Sequence, residues 1–333
     1  MRDSGRPVSL TDAQFDAIQT RKPRALKMIE GYLKDHFGSA DPAVMAAFQT
    51  VPREYYHYDY PDHRAEPGDA YEDTPKPWAI GYGSALSDYL GQAYMTQLCK
   101  PTPGEVTLEI GTGSGFQSSL LSRIVKTSYS IEIIEPLGKA VSHIFAPLGY
   151  DNIHTKVGDG YYGWPEVQGG FDIIIVTCAA TFAPPDLFKQ LKPGGRMIIP
   201  IGQPFKRGQV LYVYTKDAEG KVHSKRDIGV FFIPMRGAIE KSQPVRLETV
   251  SDQKPAASTQ AKAAEPQAAQ PASKQAASST PAQPPAAPST PPSAAQTPAA
   301  QSKSTPAAAV PATAAPPPAP QATPNTTPPA KSN

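Results

Sequence analysis

Between Glu105 and Ile201 short runs rich in β-branched residues alternate with helix-length stretches, and that rhythm admits few folds. Strands are expected at Val106–Ile110, Tyr129–Ile133, Ile153–Val157, Phe171–Thr177 and Arg196–Ile201. Helices are expected between them at Phe116–Val125, Glu135–Leu148 and Pro185–Leu191. A helix in each crossover makes the sheet parallel and covers both its faces. FDIIIVT (171–177) is apolar without a break from Ile173 to Val176 instead of alternating, the pattern of a central strand buried on both sides. LKPGGRMIIPIG (191–202) reads as a helix end, a Pro-Gly-Gly turn and a further strand. The stretch from Gln209 to Met235 predicts an antiparallel pair around Asp217–Gly220, closing one edge, and residues 11–50 read as helices ahead of the sheet. The fold class expected is therefore α/β, Rossmann-like, with a mostly parallel sheet.

A chain of 333 residues would ordinarily be divided into two domains. Here the composition changes near Ser251: from that point the chain is Ala, Pro, Ser, Thr and Gln, with roughly half of the 39 prolines and no Leu, Ile, Phe, Tyr or Trp. Such a segment buries too little apolar surface to offset its chain entropy, so residues 251–333 are expected to be a disordered tail and residues 1–250 one globular unit. The tail reads better as a solvated spacer than as a polyproline ligand, because it lacks repeated Pro-x-x-Pro with flanking arginines. Five tail lysines against two tail acids account for the net charge of +2, leaving the folded part near neutral, which argues against a nucleic-acid partner. The chain has two cysteines, no apolar signal core in MRDSGRPVSL and no run long enough to span a membrane; a soluble, cytoplasmic protein with free thiols is expected.

EIGTGSGFQ (109–117) carries the chemistry: a strand, then Gly111, Gly113 and Gly115, then a helix. In an open α/β sheet this turn lies at the carboxyl ends of the strands, where ligands bind. A dinucleotide fingerprint needs its third glycine one residue later, where Phe116 stands, and a P-loop needs a Lys-Ser/Thr ending that is missing. Alternating glycines instead admit a flat, uncharged ligand body such as the nucleoside of S-adenosylmethionine. Glu132, about twenty residues past the first glycine, is placed to accept the ribose hydroxyls. Asp159 in GDG is placed to accept from an adenine amino group while Gly160 leaves room for the ring, and Glu109 is placed to orient the cationic methionine end. Thr112 belongs to the same turn. The cofactor expected is S-adenosylmethionine, with S-adenosylhomocysteine as product.

Together with the turn and its acids, LEIGTGSGFQSSLLSRIV, LGYDNIHTKVGDGYYGWPE, FDIIIVT, LFKQLKPGGRMIIPIG and VFFIPMRG, with the upstream FQTVPREYY and AYEDTPKPWAIGYG, resemble the protein-L-isoaspartate O-methyltransferases over roughly residues 42–238. The resemblance implies a class I methyltransferase fold with a seven-stranded sheet, S-adenosylmethionine as donor, and the α-carboxylate of an isoaspartyl residue in a protein or peptide as acceptor, leading to repair. On it, residues 1–104 supply the N-terminal helices and the acceptor-binding loop region, residues 105–250 form the donor-binding core, and the protein is expected to be a monomer.

The resemblance also exposes a departure. Members carry a Thr-Ile/Leu-Ser-x-Pro type stretch whose serine hydroxyl contacts the acceptor carboxylate; here it reads Ala85-Leu-Ser87-Asp88-Tyr89. Ser87 and Asp88 are thus the candidate catalytic residues. Either Asp88 points to solvent on the first turn of a helix, favoured there by the helix dipole and leaving isoaspartyl activity intact, or the pocket has changed and Asp88 binds a cation or takes a proton from a hydroxyl, amine or amide acceptor. Where the family reads Thr-Ala-Ala-Ala-Pro-Glu, this chain reads Thr177-Cys-Ala-Ala-Thr-Phe182. A third reading is a non-catalytic protein that holds S-adenosylmethionine while its loop and tail contact a partner.

The remaining constellations read more plainly. Tyr55, Tyr56, Tyr58 and Tyr60 around His57 fit packing over the sheet edge better than an acceptor rim. The histidines match no zinc spacing, so no metal is expected. Cys178 is expected to pack, and Trp164 with Pro165 to cover the adenine side. The Thr177–Thr181 stretch lacks the Asp/Asn-Pro-Pro-Tyr arrangement of methyltransferases that act on DNA bases.

Overall fold

Three helices lead into the sheet. The computed structural model describes residues 10–203, 208–244 and 249–251, and the helices are α1 (Asp12–Gln19), α2 (Lys22–Phe37) and α3 (Pro42–Thr50). Thr11 and Gln14 form a reciprocal capping box on α1, and the Asp41 carboxylate accepts from the Ala43 amide at 2.8 Å to start α3. Two small hairpins follow, β1 (Tyr58–Asp59) with β2 (Arg64–Ala65) and β3 (Trp78–Gly81) with β4 (Ser84–Leu86). After α4 (Tyr89–Cys99) the alternation expected from the sequence begins.

Its members are β5 (Val106–Ile110), α5 (Phe116–Ser122), β6 (Thr127–Glu132), α6 (Glu135–Ser142), β7 (Ile153–Val157), β8 (Phe171–Val176), α7 (Pro185–Gln190) and β9 (Leu191–Ile201). The hairpin β10 (Gln209–Lys216) and β11 (Val222–Val230) and the three-residue β12 (Thr249–Ser251) complete it. The strand order is β12-β11-β10-β9-β8-β5-β6-β7. Strands β7, β6, β5, β8 and β9 run parallel, and β10 and β11 add antiparallel. These seven strands with their covering helices are the class I methyltransferase architecture. The short β12, parallel to the start of β11, is an addition that the sequence pattern does not announce. Apart from Ser251, the expected tail lies outside the described residues.

Strand β8 is buried on both sides: Ile173, Ile174, Ile175 and Val176 are all fully covered. Ile173 and Ile175 join Tyr94, Met95 and Leu211 on one face, while Phe171, Ile174 and Val176 join Leu108, Leu187 and Met197 on the other. Period-two geometry divides the run between two cores, which is why it carries no polar residue between Ile173 and Val176.

Beyond shifts of one or two residues, such as the strand expected at Tyr129–Ile133 that runs Thr127–Glu132, three boundaries differ from expectation, and two of them have a clear local reason. The helix expected to reach Leu148 stops at Ser142 and resumes as a short 3₁₀ turn at Ala146–Leu148, because Pro147 has no amide hydrogen and restricts the residue before it. The helix expected to reach Val125 ends at Ser122. Pro193-Gly194-Gly195 is not a turn ahead of a strand but an irregularity within β9: Leu191 already pairs with Phe171, and the register then jumps so that Arg196 pairs with Ile173. Gly194 supplies the positive φ of 78° that the bulge requires.

Candidate functional site

The strand order reverses at β5: the chain goes outward through β6 and β7, then returns to β5's other side with β8. The crevice at such a reversal opens beyond the carboxyl ends of the two strands. There the structure has a cavity of about 550 Å³, lined from the glycine turn, from Glu132–Ile134, from Thr177 and Cys178, from Gly83–Gln92 and from Ile228–Arg236.

The turn is held from beneath by a buried polar network. The Gly111 and Thr112 amides donate to the Ile131 carbonyl at 2.9 and 3.2 Å, and the Thr177 hydroxyl donates to the Ile110 and Gly111 carbonyls. Thr112 Oγ1 lies 2.7 Å from Ser130 Oγ, which donates onward to Glu109 at 2.8 Å. Ser118 donates to the same Glu109 oxygen. The other oxygen of Glu109, Oε1, is buried and without a partner, and Glu109 lines the cavity. Burial pushes its carboxyl up to about 8, against the hydrogen bonds of the two serines.

Glu132 is 5% exposed at the end of β6. Its Oε2 accepts from the Gly113 amide at 2.8 Å and its Oε1 from the Ile134 amide at 3.0 Å. Burial raises its pKa, and these amides work in the opposite sense. Each oxygen keeps a lone pair, so the carboxylate is a preformed acceptor for a vicinal diol.

The three glycines do different work. Gly111 has φ +101°, and an added Cβ would stand 2.6 Å from Thr177 Oγ1. Gly113 has φ +53° and lines the cavity, and an added Cβ would lie in ordinary contact with Ser84, Ala85 and Ile80 at 3.8–3.9 Å. Gly115, expected to admit the cofactor, is not among the lining residues. Its Cβ would meet the Phe145 ring at 2.8 Å and Val141 at 3.0 Å, so its place is the close contact of α5 with α6 and the turn after it. Gly160 lines the cavity as expected, and a Cβ there would be 2.3 Å from Ile110.

Asp159 differs from expectation. Its carboxylate accepts from the Tyr161 amide at 2.9 Å and from the Ala238 amide at 2.7 Å, and it is absent from the cavity lining. It ties the Gly160 turn to the segment after β11, leaving Gly160 on the wall. Trp164, expected to cover the adenine side, packs edge-on against Tyr129 with Lys156 over its ring, and does not line the cavity either.

Ser87 and Asp88 form part of the opposite wall. Asp88 is the N-cap of α4, its Oδ1 accepting from the Gly91 amide at 2.8 Å. The expected helix start is there, but Asp88 caps it from one residue before its first turn and borders the cavity, half-buried, instead of pointing to solvent. Cys178 lines the cavity, half-buried, and burial raises its thiol well above the ordinary range, so it is held as the neutral thiol. Tyr55, Tyr56, Tyr58 and Tyr60 are all at most 5% exposed, which makes the aromatic stretch core. His57 packs against Trp78 with the rings tilted, and is pushed down to about 2 by burial and the Arg53 charge, so it is neutral. Among the described residues no group of acids, histidines and cysteines could hold a metal, and no helix is long and apolar enough to cross a membrane.

Sequence reasoning missed the far wall. The segment Phe231–Arg236 folds back over the switch point, with the Ala179 amide donating to Ile233 and the Met235 amide donating to Ala179, both at 2.8 Å. It brings Phe231, 64% exposed, and Arg236 to the cavity. The only trace of this in the sequence is the apolar VFFIPMRG stretch after the last long strand.

Residues 25–240 match the family model described as protein-L-isoaspartate(D-aspartate) O-methyltransferase. The chain belongs to this family. It is 42% identical over 234 residues to protein-L-isoaspartate O-methyltransferase 1 of Nitrosospira multiformis, covering 69% of this chain and 92% of the relative. Against the Cupriavidus necator protein of the same name it is 45% identical over 197 residues, 59% of this chain and 73% of the relative. A solved protein-L-isoaspartate O-methyltransferase superposes with TM-score 0.57 at 25% identity, covering 66% of this chain and 67% of the other. A Plasmodium falciparum structure assigned to the same enzyme, in complex with S-adenosyl-L-homocysteine, gives TM-score 0.51 at 23% identity over 63% and 97% of the two chains, a likeness of fold. Members of the family are S-adenosylmethionine-dependent methyltransferases.

The cavity fits that donor on its own terms. The orphaned Glu109 oxygen suits the ammonium of a methionine moiety, the Glu132 carboxylate suits the ribose, and Gly113 and Gly160 present bare backbone to the cavity between them.

Proposed function

We propose that the chain methylates the carboxylate of an isoaspartyl residue in a damaged protein, with S-adenosylmethionine as donor. The observation that carries this reading is one cavity joining the glycine turn and Glu132 to the loop of Ser87 in a member of this family.

When bound, S-adenosylmethionine supplies an electrophilic methyl group. An acceptor carboxylate is already ionised at neutral pH, so the chain need not provide a strong base. Its contribution is alignment and exclusion of water. Glu132, held by the Gly113 amide, fixes the donor's nucleoside, and Glu109 fixes its amino-acid end. Ser87 offers a hydroxyl to the acceptor. Leu86, Leu90, Met95, Phe231 and Ile233 supply apolar walls on the acceptor side. Gly160 admits the ring, and Asp159 acts one step behind it by holding the Gly160 turn.

Asp88 does not require a different acceptor. As a helix cap its charge is engaged by the Gly91 amide. The two free thiols support a reducing, cytoplasmic setting, and we take the working unit to be a monomer acting on isoaspartyl-bearing proteins.

The test is the chemistry of the product. Label transferred from methyl-labelled S-adenosylmethionine to an isoaspartyl peptide should be released as volatile methanol on alkaline treatment, because a carboxyl methyl ester hydrolyses. Label that survives alkali would sit on nitrogen or carbon and overturn the assignment.

A further inference from the structure

One charged residue stands behind the cavity rather than in it. Arg53 opens the short turn after α3 and is 3% exposed. A buried guanidinium is costly unless hydrogen bonds hold it. Here Nη1 donates to Gln92 Oε1 and Nη2 donates to the Ser87 carbonyl, both at 2.7 Å, while Nε is buried without a partner. Its central carbon lies 5.0 Å from the Phe116 ring centroid and 5.7 Å from that of Tyr89. Burial pulls its pKa down to about 10, opposed chiefly by the charge of Asp88, so it remains a cation at neutral pH.

These contacts belong to both halves of the site. Ser87, Tyr89 and Gln92 are the acceptor-side loop and the first turns of α4; Phe116 is the first residue of α5, directly behind Gly115. Arg53 itself does not line the cavity. We propose that Arg53 is a positioning residue for methyl transfer: by holding the Ser87 carbonyl while lying on the Phe116 ring, it sets the acceptor loop in register with the turn that holds the donor. The inference rests on the reading of the Ser87 loop as the acceptor side. It also explains how an acidic Asp88 is accommodated beside an anionic acceptor, since a buried cation stands behind the same loop. Lysine would keep the charge but not the planar fork that reaches Gln92 and Ser87 together.

The test uses the full chain and Arg53→Lys, which keeps the charge and most of the stem and removes the fork. For Arg53→Lys, kcat with an isoaspartyl peptide should fall by about tenfold to a hundredfold, the loss expected when a reactant is held slightly out of line. S-adenosylhomocysteine affinity should stay at the wild-type value, while Tm falls with the loss of the paired buried hydrogen bonds. Amide hydrogen exchange should quicken in residues 84–92 and not in residues 111–117. An unchanged kcat, or kcat and cofactor affinity falling together with Tm, would overturn the proposal. If the wild-type chain transfers no methyl to the peptide, the functional reading fails instead; the exchange experiment still decides on Arg53, and unaltered exchange in 84–92 would reject it.

Discussion

The Glu132 carboxylate accepts the Gly113 amide at 2.8 Å, binding the end of β6 to the middle of the glycine turn. The carboxylate is thereby fixed before any diol arrives, with lone pairs to spare for it. Glu132→Ala should weaken S-adenosylhomocysteine binding by about a hundredfold, the loss of two hydrogen bonds to a charged group. Isothermal calorimetry measures it directly, and an unaltered Kd would remove Glu132 from the ribose.

On the proposed role of Glu109, cofactor binding should depend on pH. Its carboxyl, held up at about 8 by burial, is protonated in the free protein at neutral pH. An ammonium beside it favours the carboxylate, so binding should expel a proton. Affinity for S-adenosylhomocysteine should therefore rise by up to about tenfold per pH unit between pH 6 and pH 8, then level. In the free protein the folded form retains this proton after the unfolded chain has lost it. Stability should accordingly decline as pH rises from the ordinary carboxyl range through about 8. Glu109→Gln should flatten both profiles; a pH-independent Kd in the wild type would contradict the assignment.

Gly113 and Gly115 separate by substitution. Gly115→Ala places a Cβ 2.8 Å from Phe145 at φ +86° and should cost about 1–3 kcal/mol of stability by denaturant titration. Gly113→Ala has room for its Cβ and should cost about 1 kcal/mol for its φ of +53° while impairing cofactor binding directly. If Gly115→Ala folds normally and only cofactor binding suffers, the packing role of Gly115 is wrong.

Asp88→Asn keeps a side chain able to cap α4. With Arg53 behind the loop, removing the Asp88 charge should change isoaspartyl kcat/KM by no more than about threefold, within the modest value of a partly screened charge. Asp88→Ala should cost about 1 kcal/mol of stability through loss of the cap. A tenfold gain in the asparagine variant would show instead that Asp88 repels the acceptor.

The parts of this molecule legible in its sequence are those fixed by local pattern. The unbroken apolar run of β8 announced a strand between two cores, and the Gly111–Gly115 spacing placed a ligand turn at the end of β5. Glu132 was found because the distance from turn to second strand end is set by one βα unit. Non-local contacts were not legible. Nothing near Arg53 in the chain signals that Ser87 and Phe116 meet it, and the return of Phe231–Arg236 over the cavity depends on pairing with Ala179. Gly115 and Asp159 show the same limit from the other side. Their place in the motif was recognised, but their work, against Phe145 and the Ala238 amide, is set by residues some 30 and 79 positions away.

The most direct measurement is methyl transfer from labelled S-adenosylmethionine to an isoaspartyl peptide beside its aspartyl twin, using the full chain. Alkali-labile label on the isoaspartyl peptide alone is the predicted result. Label on neither peptide, with S-adenosylhomocysteine binding intact, would contradict the assigned acceptor while leaving the donor site standing.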